Sequence, residues 1–117
     1  MPRDAAILLD IAGACRRIQE FKQGMDQVAF LKDLKTQSAI LHQLMILGEA
    51  VKRLSEAFRG QHVHIPWRLI AGMRDKLIHD YGEVDLEEVW RAVEGDIPDL
   101  LVKVEPLLPS EPDASSL

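Results

Sequence analysis

Apolar residues recur at intervals of three and four along almost the whole 117-residue sequence. This is the repeat of α-helices that bury one face, and no stretch shows the strict alternation with β-branched residues that is typical of a strand. The spacing therefore predicts an all-α fold, an up-and-down bundle of four to five helices. A chain of this length holds one domain. We place that domain at residues 3–108 and predict a disordered C-terminal tail over the polar residues 109–117.

Capping residues and helix breakers predict where the helices of the first half begin and end. A first helix is predicted from Asp4 to residues 22–24, followed by a short helical piece over residues 26–33. A long helix is predicted over residues 35–59, with Gly60 as its stop signal. Gly48 in the middle of that helix costs about 1 kcal/mol relative to alanine. We therefore expect another helix to approach the backbone closely at Gly48.

The second half of the sequence predicts two further helical regions. A third helix is predicted over about residues 66–80, because proline suits the first turn of a helix. Asp85 is a candidate N-cap for a fourth helical region. Gly95 and Pro98 are predicted to interrupt that region, and Asp96 is a candidate cap for its restart.

Charge is distributed unevenly along the sequence. The whole chain has 14 basic and 19 acidic residues, a formal net charge of −5, which excludes a globally basic nucleic-acid coat or membrane-surface protein. Residues 51–76 nevertheless hold six basic and two acidic residues, whereas residues 80–117 hold eleven acidic and two basic ones. Two interpretations stay open: ordinary solvated faces, or a polyanion site beside an acidic surface that docks a basic partner.

Several other features exclude whole classes of protein. The longest uncharged stretch, residues 36–48, is shorter than the roughly 20 apolar residues of a membrane span. Asp4 precedes the first apolar stretch and Asp10 lies inside it, which does not suit the apolar part of a signal peptide. Cys15 is the single cysteine, so neither an intrachain disulfide nor a cysteine-based zinc site is available. We therefore predict a cytoplasmic protein without membrane association, metal site or cofactor.

The predicted third helix places an arginine on its apolar stripe. At 100° per residue, Arg74 shares a face with Ile70 and Leu77. A guanidinium in that position needs a polar partner. It either pairs with a carboxylate such as Glu49 or lines a polar cleft, and both alternatives stay open.

A histidine follows the arginine on the same helix. Asp75 and His79 lie four residues apart, so the carboxylate can orient one imidazole nitrogen; a surface ion pair is the alternative. Arg74 and His79 lie five residues apart and point about 140° away from each other on a regular helix. They converge only through an irregular last turn, or when a twofold dimer brings in the same helix of a second copy.

Arg74, His79 and Tyr81 form an Arg-x4-His-x-Tyr pattern. This pattern resembles the signature of the HEPN superfamily, specifically its branch of HepT-like ribonuclease toxins. The resemblance extends over about residues 3–108. Four flanking segments resemble that branch in order and spacing: Leu47–Ala50, Ile65–Trp67, Val84–Trp90 and Asp96–Leu100.

The resemblance implies a homodimeric, metal-independent endoribonuclease that is the toxin of a toxin–antitoxin pair, with a minimal nucleotidyltransferase as its antitoxin. It implies that Arg74 and His79 cleave RNA and that the Tyr81 hydroxyl receives AMP from ATP. The residue types suit this chemistry, because an imidazole can take a proton from a ribose 2′-OH and a guanidinium can hold phosphate oxygens. Asp75 is expected to support His79.

The basic middle of the sequence supplies candidate RNA contacts, which are Arg59, Arg68 and Lys76. Trp67 and Trp90 are interpreted as core or interface anchors rather than base-stacking platforms. An alternative function is a non-catalytic helical protein that binds a nucleotidyltransferase and serves as its substrate.

Overall fold

The computed structural model describes residues 3–79 and 81–109, and at position 81 only the backbone. Over these residues the chain forms helices and no strands, which confirms the predicted all-α fold. The α-helices are α1 (Arg3–Lys22), α2 (Gln27–Leu31), α3 (Leu34–Arg53), α4 (Glu56–Gln61), α5 (Trp67–His79), α6 (Leu86–Arg91) and α7 (Ile97–Val104). Helix α3 packs between α1 and α5, and α7 packs on the other side of α1. The short helices α2 and α4 connect the main helices of this bundle.

One hydrophobic core runs through the bundle. Trp67 and Trp90 are both buried in it, as predicted for core anchors. The rings of Trp90 and Phe30 lie 5.2 Å apart at their centroids, which ties α2 to α6. Burial of one large apolar side chain stabilises the folded state by about 1.5–3 kcal/mol. This core therefore holds α3 and α5 in place against the rest of the bundle.

The prediction of a single long helix over residues 35–59 is wrong, because α3 ends at Arg53 and a separate helix, α4, begins at Glu56. Ser55 adopts an extended conformation and caps α4, its Oγ accepting a hydrogen bond from the Phe58 N–H at 3.1 Å. Asp4 holds the break in place, since its carboxylate accepts from the Ser55 N–H at 2.9 Å and from the Ser55 hydroxyl at 2.7 Å. A capping serine and a carboxylate from α1 therefore override the helical periodicity.

The predicted interruption at Gly95 and Pro98 is also wrong. Helix α6 continues through a π-helical turn, Ala92–Asp96, directly into α7. Pro98 lies in the first turn of α7. The side chain of Asp96 makes no capping hydrogen bond, so the predicted cap at this residue is not formed. Asp85 does cap α6, as predicted, by accepting from two backbone N–H groups of the next turn.

The ends of two predicted segments lie outside the described residues. Helix α5 ends at His79, and Asp80, the last residue predicted for it, is not described. The predicted tail lies outside the description except for Pro109. Within the described ranges, none of the helices combines the length and apolarity needed to cross a membrane.

Candidate active site

Helices α3 and α5 meet at Gly48 and Arg74. A Cβ atom added to Gly48 would lie 2.1 Å from the Arg74 Cβ and 3.3 Å from the Arg74 Cα. No side chain larger than hydrogen fits at position 48 without moving α5. The close approach that was expected at Gly48 is therefore present, and it fixes the backbone of Arg74 against the central helix.

The Arg74 guanidinium lies between two carboxylates. Its Nη2 is 3.0 Å from Glu49 Oε2 on α3, and its Nη1 is 3.2 Å from Asp75 Oδ1 on α5. The pairing with Glu49, one of the two alternatives from the sequence, is thus formed. The Arg74 side chain nevertheless keeps 27% of its surface exposed, and a guanidinium has five N–H donors. Arg74 is therefore anchored by two carboxylates and remains partly exposed to solvent.

Asp75 is held by two cations. Lys52 Nζ on α3 donates to Asp75 Oδ1 at 2.9 Å. The hydrogen bonds from Lys52 and then Arg74 lower the pKa of the Asp75 carboxyl below its ordinary value of 3.8. Among the hydrogen bonds of the described residues there is none between Asp75 and His79, so the predicted support of the imidazole is not formed within this chain. Asp75 instead accepts hydrogen bonds from Lys52 of α3 and from Arg74 of its own helix.

His79 is the last residue of α5 and is exposed to solvent. Because α5 is a regular α-helix through His79, Arg74 and His79 point away from each other and do not converge within one chain. Among the described residues, α5 therefore shows no irregular turn up to His79. Tyr81 begins a 3₁₀ turn, Tyr81–Glu83, and its side chain, the predicted modification site, lies outside the described structure.

The three candidate RNA contacts fall into two places. Arg59 on α4 and Arg68 on α5 line the same groove, which has a volume of about 480 Å³. Lys76 lies further along α5, where its ammonium group contacts both carboxylate oxygens of Glu88 at 3.0 and 2.9 Å. The structure therefore groups Arg59 with Arg68 and places Lys76 elsewhere.

The loop histidines His62 and His64 lie beside aromatic rings. The ring of His62 lies 4.5 Å from the ring of Phe58, and the ring of His64 lies edge-on to His62 at 6.1 Å. In the part of the chain that the structure describes, no three histidine, cysteine, aspartate or glutamate side chains are grouped to hold a metal ion.

Lys52 is the site residue that the sequence did not single out. It counted only as one charge of the basic middle, yet it binds the carboxylate that also contacts Arg74. The available signal was its spacing on α3. Glu49 and Lys52 lie three residues apart and therefore share a face of the helix, next to the glycine that admits α5. Once α5 is placed at Gly48, both side chains are within reach of the motif.

The family model described as "Ribonuclease HepT-like" matches residues 11–107. The chain belongs to the HepT-like ribonuclease family. This confirms the resemblance to HepT-like proteins of the HEPN superfamily. Membership of this family supports the prediction that the chain is an RNA-cleaving enzyme.

Individual relatives of this HepT-like protein have matching names. It is 47% identical over 100 residues to "Probable ribonuclease HepT" of Thermococcus cleftensis, covering 86% of this chain and 91% of the relative. It is 40% identical over 97 residues to a "Putative RNase" of Caldanaerobacter subterraneus, covering 83% and 87%. A "Putative RNase" of Methanocaldococcus jannaschii is 38% identical over 103 residues, covering 88% and 85%. No solved structure matches the chain.

Proposed function

We propose that this HepT-like protein is the toxin of a toxin–antitoxin pair, a metal-independent endoribonuclease that cleaves RNA in a cleft between two copies of the chain. Arg74 and His79 are the catalytic residues. A nucleotidyltransferase antitoxin silences the enzyme by adding AMP to Tyr81. The observation that carries the proposal is the state of Arg74, whose backbone packs against Gly48 and whose guanidinium pairs with Glu49 while 27% of its side-chain surface stays exposed.

A second copy of the chain supplies the missing geometry. Within one chain, Arg74 and His79 lie on different sides of α5, so one scissile phosphate cannot contact both. A twofold axis beside α5 would place His79 of each copy near Arg74 of the other. The exposure of His79 and of the preceding Ile78, which is 43% exposed, supports an interface on this part of α5.

The chemistry needs a base and a phosphate clamp. The imidazole of His79 takes the proton of a ribose 2′-OH, and the 2′ oxygen attacks the adjacent phosphorus. The bond between phosphorus and the 5′ oxygen breaks, the 5′ oxygen takes up a proton from water, and a 2′,3′-cyclic phosphate remains. The His79 imidazolium then returns its proton to the solvent. The Arg74 guanidinium binds the phosphate oxygens as negative charge develops on them. No step requires a metal ion.

Modification of Tyr81 would block this reaction by charge and bulk. The tyrosine oxygen attacks the α-phosphorus of ATP, and pyrophosphate leaves as the α–β phosphate bond breaks. The product carries a negative phosphodiester and an adenosine two residues from His79. That group would repel the RNA phosphate and occupy its place.

The decisive experiment is digestion of a structured RNA in the presence of EDTA. We expect wild type to cleave it and to leave 2′,3′-cyclic phosphate ends, while His79→Ala and Arg74→Ala lose at least about 100-fold in rate. Arg74→Lys should also fail, because lysine lacks the planar fork. His42→Ala replaces a histidine of α3, away from the motif, and should cleave normally. Cleavage of an all-deoxy substrate at a similar rate would contradict the mechanism.

The Arg74–Glu49 ion pair favours one second function, in which Arg74 is structural and the chain is a non-catalytic partner of a nucleotidyltransferase. Treatment with the nucleotidyltransferase and ATP separates the two. Tyr81 is the only tyrosine, so the mass increase of one AMP should disappear in Tyr81→Phe. Modification that abolishes cleavage supports the toxin. Modification of a protein that never cleaves RNA and is harmless in cells supports the partner.

A further inference from the structure

The groove that contains Arg59 and Arg68 is separate from the Arg74 cluster. It lies where the loop after α4 enters α5, and its volume is about 480 Å³, which is within the range of small-ligand sites. Ile65 and Trp67 form a buried apolar floor, with 2% and 5% of their surfaces exposed. Val63 stands at the rim with 80% of its surface exposed. An apolar floor with an open rim can accept a flat aromatic group.

Two cations without carboxylate partners face this groove. Among residues 3–79 and 81–109, no carboxylate lies within ion-pair distance of Arg59 or Arg68, whereas Arg74 has two. Arg59 is half-buried, and its Nε has no acceptor in the described structure. Buried donors are nearly always paired in folded proteins. Arg68 lies exposed beside Arg59, so the groove presents the positive charge of two guanidinium groups to an anionic ligand.

Glu56 adds a single negative charge to the same groove. Its carboxylate is exposed and, in the described part of the chain, forms no ion pair. A carboxylate accepts hydrogen bonds from the amino groups of adenine, cytosine or guanine. It repels the two carbonyl oxygens of uracil. Combined with two arginines and an apolar floor, it fits a nucleotide better than it fits a simple anion.

We propose that this groove binds one nucleotide of single-stranded RNA, with its phosphate at Arg59 and Arg68 and the amino group of its base at Glu56. The inference rests on the RNA-cleaving function proposed above. Arg68 and Arg74 are six residues apart on α5, about 9 Å along the helix axis and about 120° around it, so one strand reaches from the groove to the scissile phosphate by passing around the side of α5. The groove thus selects a strand with an amino-bearing base a short distance from the cleavage point.

Binding of a short single-stranded 2′-O-methyl RNA, which cannot be cleaved, tests the proposal by fluorescence anisotropy. We expect Arg59→Ala/Arg68→Ala to bind at least about 10-fold more weakly than wild type. The slope of log affinity against log salt should flatten by about 0.7 for each phosphate that the variant no longer binds. Arg68→Ala alone changes an exposed residue and should weaken binding less than the double substitution, because Arg59 still contacts the phosphate. Arg16→Ala removes an exposed charge from α1 and should leave the slope unchanged.

Base selection is tested with oligomers of one base. Wild type should bind oligo-A and oligo-C more tightly than oligo-U. The Glu56→Gln substitution should reduce this difference in affinity. Equal binding of the three oligomers by wild type would overturn the role of Glu56. If wild type cleaves RNA but the double arginine variant keeps wild-type affinity and salt slope, the groove is not the nucleotide site although the proposed function stands. If binding depends on the two arginines but no RNA is cleaved, the groove stands and the proposed function fails.

Discussion

Lys52 and Arg74 share one carboxylate oxygen, because both donate to Asp75 Oδ1, at 2.9 and 3.2 Å. Together with Glu49 they form a row of alternating charges that joins α3 to α5. Half-exposed ion pairs contribute little to the free energy of unfolding, typically less than about 1 kcal/mol each. The value of this row is therefore positional: it restricts where the Arg74 guanidinium lies.

Lys52→Met should raise the pKa of Asp75. The hydrogen bond from Lys52 is the largest cause of the lowered value, and the bond from Arg74 remains, so the pKa should rise but stay below its ordinary 3.8. A carbon-13 NMR titration of the carboxyl group measures it. Lys35→Met removes an exposed lysine from the same helix and should leave the Asp75 pKa unchanged. An unchanged Asp75 pKa in Lys52→Met would show that the lysine does not hold the carboxylate in solution.

Gly48→Ala should destabilise the protein although alanine favours helices. The added Cβ would overlap the Arg74 Cβ, and overpacking of about 1–3 kcal/mol outweighs a gain in helix propensity of about 1 kcal/mol. Gly72→Ala is the matched control in α5, because a Cβ there meets nothing within 4 Å. It should stabilise by up to about 1 kcal/mol. Urea denaturation measures both, and equal effects of the two substitutions would contradict the close contact.

Ser55→Ala should cost about 1–2 kcal/mol of unfolding free energy, since it removes the cap of α4 and the hydroxyl that donates to Asp4. Thermal denaturation with Ser38→Ala as control measures this effect. Ser38 is an exposed residue inside α3, and its replacement should change stability by less than about 0.5 kcal/mol. A Ser55→Ala protein as stable as the control would mean that the break between α3 and α4 does not depend on this cap.

The same link predicts a sensitivity to acid. Hydrogen bonds from the Ser55 backbone and side chain lower the pKa of Asp4 below its ordinary value of 3.8. The contribution of Asp4 to stability is therefore complete above pH 3.8 and is lost as the pH falls through the lowered pKa. Asp4→Asn should flatten the acid limb of the stability curve. An acid limb of unchanged steepness in that variant would assign the acid sensitivity to other carboxyl groups.

Cys15 should be unreactive in the folded protein. It is fully buried in α1, and burial raises the pKa of its thiol to about 12, so almost no thiolate is present near pH 8. Labelling with a thiol reagent should be slow under native conditions and fast in guanidinium chloride. Because Cys15 is the only cysteine, the rate of labelling measures opening of the core directly. Rapid labelling of the native protein would contradict the tight packing of α1.

The parts of the fold that follow from local periodicity could be predicted from the sequence, whereas those that depend on distant partners could not. The all-α class and the Asp85 cap could be predicted because each depends only on residues close together in the sequence. The break at Ser55 depends on Asp4, 51 residues away, and nothing local distinguishes Ser55 from a serine inside a helix. The partner of Asp75 was predicted within its own helix as His79, but Lys52 of α3 occupies that carboxylate because α5 approaches α3 so closely.

The buried residues of α5 flank Arg74 and stop two residues before the end of the helix. Its buried residues are Trp67, Ile70 and Leu77, so the turn that carries Arg74 is clamped from both sides. His79 lies beyond the last of these anchors. Amide hydrogens of the final turn should therefore exchange with solvent faster than those around Arg74. The arginine is therefore held between buried residues of its own helix, whereas the histidine lies beyond the last of them.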